Sequence, residues 1–257
     1  MNQVLDKRRV RASFAAAAAG YDAAAGLQRQ AGGYLLDLAP PMAAPLLDLG
    51  CGTGYIAGLL RNRRPGAEIW AADLAAPMLA ACRDKLPDLR GYVCADAERL
   101  PFAANSFAHV YANLVLQWCQ DLPAALAECR RVLRPGGRLA FATFGPKTLI
   151  ELKQAWAAVD AEPHVNEFYA LPQVADFLNV AGFSLLHAES RLEQPVYADV
   201  LALMRELKQI GAHNAHVGRR RQTTSRGQLR RMTDAYRELL AGGPLIASYE
   251  IIYAVAA

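Results

Sequence analysis

The chain has 257 residues, 53% apolar and 20% charged, with a net charge of +4. That length suits one large domain, or one domain with an elaborated cap, and the composition excludes a disordered chain. So mild a charge demands no nucleic acid. The five cysteines, Cys51, Cys82, Cys94, Cys119 and Cys129, are scattered and never form a CxxC pair. They argue against a disulfide framework or a zinc site and fit a reducing compartment.

Lys7, Arg8, Arg9 and Arg11 precede an alanine run and imitate the start of an export signal. The apolar stretch 14–19 is too short for one, however, and Gly20 and Asp22 interrupt it. No segment reaches the roughly 18 apolar residues of a membrane span. The expectation is a soluble, cytoplasmic protein without a membrane partner.

Residues 5–38 read as helix in two pieces, broken near Gly20 and Tyr21, and the proline-rich stretch 39–45 as a connector. Apolar runs at 46–49, 69–72, 92–94, 107–116 and 138–144 then alternate with helical segments at 55–61, 77–85 and 122–133. Such alternation predicts a mainly parallel sheet with helices on both faces. Beyond Pro172 a helix leads to Gly182, followed by a strand near 183–190 and a last strand at 248–255. The intervening 191–244 is too long for a plain loop and should carry helices of its own. One is expected over 196–211, where Val200, Met204, Leu207 and Ile210 recur at helical spacing. The expected division is a helical lid at 1–38, a core at 39–190, a basic cap at 191–247 and a returning strand at 248–257.

The stretch 46–55, LLDLGCGTGY, carries the chemistry. A buried strand runs into a glycine turn and then a helix, and glycines allow the sharp turn and close approach to a ligand. Asp48 stands just before that turn. A pyrophosphate would be repelled there, whereas a ligand bearing an α-ammonium would be attracted. Asp73 closes the second apolar run, about 20 residues past the turn, where a carboxylate can accept from ribose hydroxyls or simply end a strand. Asp96 follows the third run and could accept from an exocyclic adenine amine. Pro135, Gly136 and Gly137 read as punctuation between helix and strand.

In this order, the pieces over 46–144 resemble the class I S-adenosylmethionine methyltransferases. The resemblance implies a Rossmann-like α/β fold with a seven-stranded, mostly parallel sheet and an antiparallel last strand. It also implies S-adenosylmethionine as co-substrate, without a metal. The cofactor residues it suggests are Gln28, Asp48, Gly50, Cys51, Gly52, Gly54, Asp73, Leu74, Met78, Asp96, Ala97 and Asn113. Asp48 and the turn would surround the methionine portion, with Asp73 on the ribose and Asp96 at the adenine. Ala108 departs from the pattern, since an aspartate often follows the phenylalanine of the fourth strand.

Four further signatures, F-x₆-Y-D-x₄-LQ at 14–28, FATFGPKTLIEL at 141–152, Tyr197 through LKQIGAHN at 207–214, and YEIIY at 249–253, resemble the malonyl-[acyl-carrier protein] O-methyltransferases of early biotin synthesis. Ser248 replaces that family's usual threonine. The resemblance implies methylation of the free malonyl carboxylate on carrier-protein phosphopantetheine. That carboxylate is already ionised near pH 7, so no general base is needed. Tyr21 is expected as a substrate-side hydroxyl and lid, Gln117, Trp118, Phe144 and Phe168 as pocket wall, and Lys147 or Arg205 as the substrate's cation. Over 191–231, eight arginines and Lys208 oppose Glu193, Asp199 and Glu206, a net of +6. An acidic carrier protein would be steered to such a segment, although a solvated loop is the plainer reading. A nucleic-acid partner is disfavoured, because aromatics do not interleave the arginines. The alternatives are a methyltransferase of small free carboxylic acids and a non-catalytic S-adenosylmethionine-binding subunit.

Overall fold

The computed structural model describes residues 5–212, 215 and 224–257. The last two residues of the 207–214 signature, His213 and Asn214, and three of the eight arginines of the basic segment, Arg219, Arg220 and Arg221, lie outside the described residues. The N-terminal region is helical in three pieces rather than two: α1 (Lys7–Ala17), α2 (Tyr21–Ala24) and α3 (Gly26–Leu38). Asp6 starts α1 by accepting from the Arg8 and Arg9 amides at 3.0 and 3.3 Å. The extra break falls at Ala25, whose φ of −86° and ψ of 37° leave the helical region while the residue stays buried.

The core runs β1 (Leu46–Leu49), α4 (Tyr55–Arg63), β2 (Ile69–Asp73), α5 (Ala76–Lys85), β3 (Gly91–Cys94), β4 (Phe107–Asn113), α6 (Leu122–Val132) and β5 (Leu133–Phe144). It continues through α7 (Ile150–Ala157), α8 (Leu171–Val180) and β6 (Leu185–Glu193). Next come β7 (Val196–Tyr197), α9 (Val200–Gln209), α10 (Arg226–Leu239), β8 (Leu245–Ile246) and β9 (Tyr249–Ala256). Among the described residues the main sheet has seven strands in the order β3-β2-β1-β4-β5-β9-β6. The pairs from β3 to β5 are parallel, and β9 lies antiparallel between β5 and β6. This is the seven-stranded, mostly parallel sheet with an antiparallel last strand that the sequence suggests.

Alternation along each strand splits the core into two layers. Leu47, Val110 and Phe141 face one side, under α6 and α8, while Leu46, Tyr111 and Ala142 face the other, under α3 and α4. A third cluster joins α7 (Leu152, Trp156) to α9 (Val200, Leu203) and α10 (Met232, Tyr236). Among the described residues no helix is long and apolar enough to cross a membrane.

Three boundaries differ from expectation. The strand expected over 107–116 ends at Asn113, because Leu114 turns the chain with φ +50° and 116–118 closes a 3₁₀ turn. β5 begins at Leu133, so Pro135, Gly136 and Gly137 lie inside the strand. Gly136 has φ +74°, and a Cβ on Gly137 would stand 3.0 Å from the Ala108 oxygen, so the glycines permit an irregular, close pairing with β4. The helix expected over 196–211 is shortened, since Val196 and Tyr197 pair with β8 and Asp199 caps α9 through the Ala202 amide at 2.6 Å.

Candidate active site

Strand order reverses direction about β1, with β2 on one side and β4 on the other, and open parallel sheets bind ligands outside the strand ends at such a point. The glycine turn sits there. The Gly50 and Cys51 amides both donate to the Ala72 oxygen, at 2.7 and 3.0 Å, locking the turn onto β2. All three glycines have positive φ, yet their surroundings differ. A Cβ on Gly50 would fall 2.3 Å from Val115, and one on Gly54 would fall 2.7 Å from the Cys82 sulfur. Gly50 and Gly54 therefore allow packing. A Cβ on Gly52 would meet only Tyr21, at 3.9 Å, so Gly52 presents bare backbone to the cavity.

Asp73 binds this turn directly. Its Oδ2 accepts from the Gly52 amide at 2.9 Å and its Oδ1 from the Ala75 amide at 2.8 Å. Burial raises its pKa above the usual carboxylate range, partly offset by those amides. Asp48 lies deeper. It is buried, and its Oδ2 accepts from the Ala57 amide at 2.8 Å, supplying the N-terminal cap that Gly54 cannot give to α4. Burial pushes Asp48 up to about 7, opposed by the Ala57 amide and reinforced by the charge of Asp73. Asp48 is not among the cavity-lining residues, so the expected direct contact with the methionine portion gives way to support from below the turn. Gly54 likewise lies behind the wall.

The remaining suggested cofactor residues converge. Gly50, Gly52, Asp73, Leu74, Met78, Asp96, Ala97 and Asn113 line one cavity, and Cys51 and Gln28 line an adjoining one with Gly52 and Asn113. Gln28 Oε1 and Asn113 Oδ1 are buried without a hydrogen-bond partner among the described residues, while Asn113 Nδ2 donates to the Gln28 backbone carbonyl at 2.8 Å. Unpaired buried acceptors call for a donor, so these two amide oxygens beside a bare glycine turn fit a ligand's ammonium group. The Asp73 carboxylate, which meets backbone amides rather than a cation, favours a cationic ligand as well.

Sequence reasoning expected a helical lid over 1–38 but not the contacts by which it covers this cavity. Val10 and Phe14 of α1 line it, and Phe14 packs edge-on against Trp118 at 5.3 Å. Lys7 Nζ bonds both Asp96 oxygens, at 2.7 and 2.5 Å, and Glu98 at 2.8 Å. Burial opposes the Lys7 charge, but these bonds outweigh it and raise its pKa. The only sequence signal was the basic cluster itself, and nothing in it named acidic partners 89 residues away.

Tyr21 lines the cofactor cavities and neither of the two beyond, so it stands closer to Gly52 than the substrate-side reading supposed. Burial, with Asp73 and Asp22 nearby, raises the pKa of its hydroxyl and keeps it a neutral donor. Asp22 accepts from the Thr53 hydroxyl at 2.5 Å and pairs with Lys85, fixing α2 over the turn.

Two further cavities open past Trp118 and share Gln117, Phe144, Asn166 and Phe168. Trp118 itself lines both the cofactor cavity and the smaller of these, so the suggested wall residues do come together. Lys147 and Arg205 do not line either cavity. Lys147 sits where its amide meets Glu250, and the exposed Arg205 side chain lies 3.8 Å from Asp199, because each is on the outer face of its segment. The smaller cavity instead presents His164, held by Asp160 at 2.8 Å and stacked 3.8 Å from Trp156.

Among known proteins, a family model described as a methyltransferase domain matches residues 47–141. The chain is 46% identical over 257 residues to the malonyl-[acyl-carrier protein] O-methyltransferase of Methylococcus capsulatus, covering 97% of this chain and 93% of that one. It is 47% identical over 261 residues to the protein of the same name from Laribacter hongkongensis, with coverages of 96% and 88%. An S-adenosylmethionine dependent methyltransferase structure from Mesorhizobium loti shares the fold, with a TM-score of 0.55 at 20% identity over 87% of this chain and 95% of that one.

Proposed function

The chain belongs to the malonyl-[acyl-carrier protein] O-methyltransferase family, and we propose how its site performs that reaction. Methyl passes from S-adenosylmethionine to the free carboxylate of a malonyl thioester carried on acyl-carrier protein, giving the methyl ester. The observation that carries this reading is Trp118, which walls both the glycine-turn cavity and a second cavity beyond it. Donor and acceptor can thus meet across one side chain.

When bound, S-adenosylmethionine supplies an electrophilic methyl on a sulfonium. Gln28 Oε1 and Asn113 Oδ1 accept from the ammonium, and the Gly50–Gly52 backbone lies along the methionine portion. Asp73 takes the ribose hydroxyls while holding Gly52, and Asp96 takes the adenine amine while held by Lys7. Leu74, Met78 and Ala97 form apolar walls for the base. Tyr21 donates its hydroxyl near the turn.

On the acceptor side, Gln117, Trp118, Phe144 and Phe168 orient the malonyl group and exclude water. The carboxylate oxygen forms the new C–O bond as the C–S bond breaks, and the electron pair stays on sulfur. No proton leaves the acceptor, so the site needs no base. Alignment and desolvation of the pair carry the rate, worth up to roughly 7–11 kcal/mol when the geometry is favourable. An acidic carrier protein in the cytoplasm docks on the basic segment that includes Arg226, Arg230 and Arg231. The test is pH dependence at saturating cofactor: the chemical step should stay flat from about pH 6 to 8. A bell centred near neutrality would require a general base and remove this mechanism.

A further inference from the structure

The two cavities that diverge at Gln117, Phe144, Asn166 and Phe168 are unequal. One measures about 80 Å³ and ends at His164, Glu206 and Tyr249. The other measures about 300 Å³ and runs past Leu116 and Thr143 to Tyr169 and Gln173 on the side of α8. The larger therefore offers nearly four times the room of the smaller and reaches the size of small-molecule sites. The malonyl end can sit at the fork, beside the smaller cavity that Trp118 walls, while its long flexible arm takes the larger.

The polar groups of the larger cavity are mostly committed. Gln117 Nε2 donates to the Leu114 oxygen at 2.7 Å, and Gln173 Oε1 accepts from the Ala170 amide at 2.9 Å. The Thr143 hydroxyl faces Gln117 Oε1 at 3.4 Å, and Gln120 donates to the Leu5 oxygen. Asn166 stands apart. It is 8% exposed, and its Oδ1 is buried with no partner among the described residues. It also sits at the fork, on the wall of both cavities. A buried amide oxygen without a donor is costly unless a ligand supplies an N–H.

We propose that the larger cavity is the channel for the substrate's pantetheine arm, and that Asn166 Oδ1 accepts the arm's amide N–H nearest the thioester. The inference rests on the carrier-protein substrate proposed above. That arm is mixed in the same way as the cavity, with secondary amides spaced by methylenes. Its first amide follows the sulfur by two carbons, which suits a residue at the fork beside the reacting end. Asn166 is therefore a specificity residue for a carried acyl group over a free acid.

The test compares malonyl-carrier protein bearing the natural arm with the same protein bearing an arm whose thioester-proximal amide is replaced by an ester. The ester keeps the shape and removes the N–H. The wild-type chain should show a KM about tenfold higher for the ester arm, the factor expected for one buried hydrogen bond. Asn166→Ala should raise KM for the natural arm to that same level and leave the ester arm unchanged. Asn166→Asp, which keeps an acceptor, should retain the preference for the natural arm. S-adenosylmethionine affinity reports whether each variant is folded, and the wild-type comparison decides the matter even if neither is. Equal KM for both arms in the wild type, or an equal loss on both in Asn166→Ala, overturns the channel. Failure of the wild type to methylate the natural-arm substrate at all would instead overturn the proposed function.

Discussion

Asp73 holds Gly52 in place: its Oδ2 accepts the Gly52 amide at 2.9 Å, across 21 residues of chain. The carboxylate at the end of β2 is therefore part of the turn's own construction. Asp73→Ala should weaken S-adenosylmethionine binding by roughly 1.5–3 kcal/mol, as for hydrogen bonds to a charged acceptor, and should also lower stability. Gly52→Ala separates the two effects. Its Cβ meets no atom nearer than 3.9 Å, so the folded protein should lose only about 1 kcal/mol for the positive φ, while cofactor affinity falls. Calorimetric titration beside thermal melts checks both; unchanged affinity in a folded Gly52→Ala would remove the turn from the site.

Tyr21→Phe tests the placement of that hydroxyl. Because Tyr21 lines the cofactor cavities, its loss should weaken cofactor affinity by about threefold to tenfold and slow the chemical step as well. Single-turnover kinetics with a separate binding titration distinguish the outcomes. A slower step with unchanged affinity would return Tyr21 to the substrate side.

Asp48 makes the ligand-free protein's stability depend on pH. Its folded pKa of about 7 lies above the ordinary 3.8, so the native state holds the proton more tightly than the unfolded state. Its contribution is greatest below about pH 4 and is lost as pH rises towards 7, by ~4 kcal/mol at most. Asp48→Asn copies the protonated form. Denaturant titrations at intervals from pH 5 to 8 should therefore show the variant gaining on the wild type as pH rises. A difference that stays constant with pH would mean that Asp48 is ionised throughout.

The carboxylates were the most legible part of the site, because each ends a short apolar run and such runs are local patterns. Asp73 and Asp96 could be named with no knowledge of the fold. Asp48 was also found, but its side chain turns to Ala57 because α4 begins at Gly54, which has no capping group, and sequence spacing does not reveal that choice. Lys7 on Asp96, Phe14 on Trp118 and Asn166 at the fork were not legible. Each depends on segments far apart in the chain meeting over the sheet. Lys147 and Arg205 failed for the opposite reason: their charge suggested a substrate contact, but the faces they occupy point away from both cavities.

The exposed arginines of α10 provide a test of docking. Arg226, Arg230 and Arg231 lie outside the packing that Met232 and Tyr236 give this helix, so charge reversal should leave the core intact. Exchanging all three for glutamate should raise KM for the carrier-bound substrate several-fold, and much less for malonyl on coenzyme A. The gap should narrow with added salt, since steering charges are screened over about 8 Å at physiological ionic strength. Equal responses of the two substrates would leave α10 as a solvated face.

The central claim is transfer of methyl to a carboxylate on a carried acyl group. Its most direct test is the intact mass of carrier protein loaded with malonyl or acetyl, after incubation with this chain and methyl-labelled S-adenosylmethionine. The malonyl form should gain one labelled methyl, released by mild ester hydrolysis, and the acetyl form, which has no free carboxylate, should gain none. Label on the acetyl form, or no label on the malonyl form with a folded, cofactor-binding protein, would contradict the account.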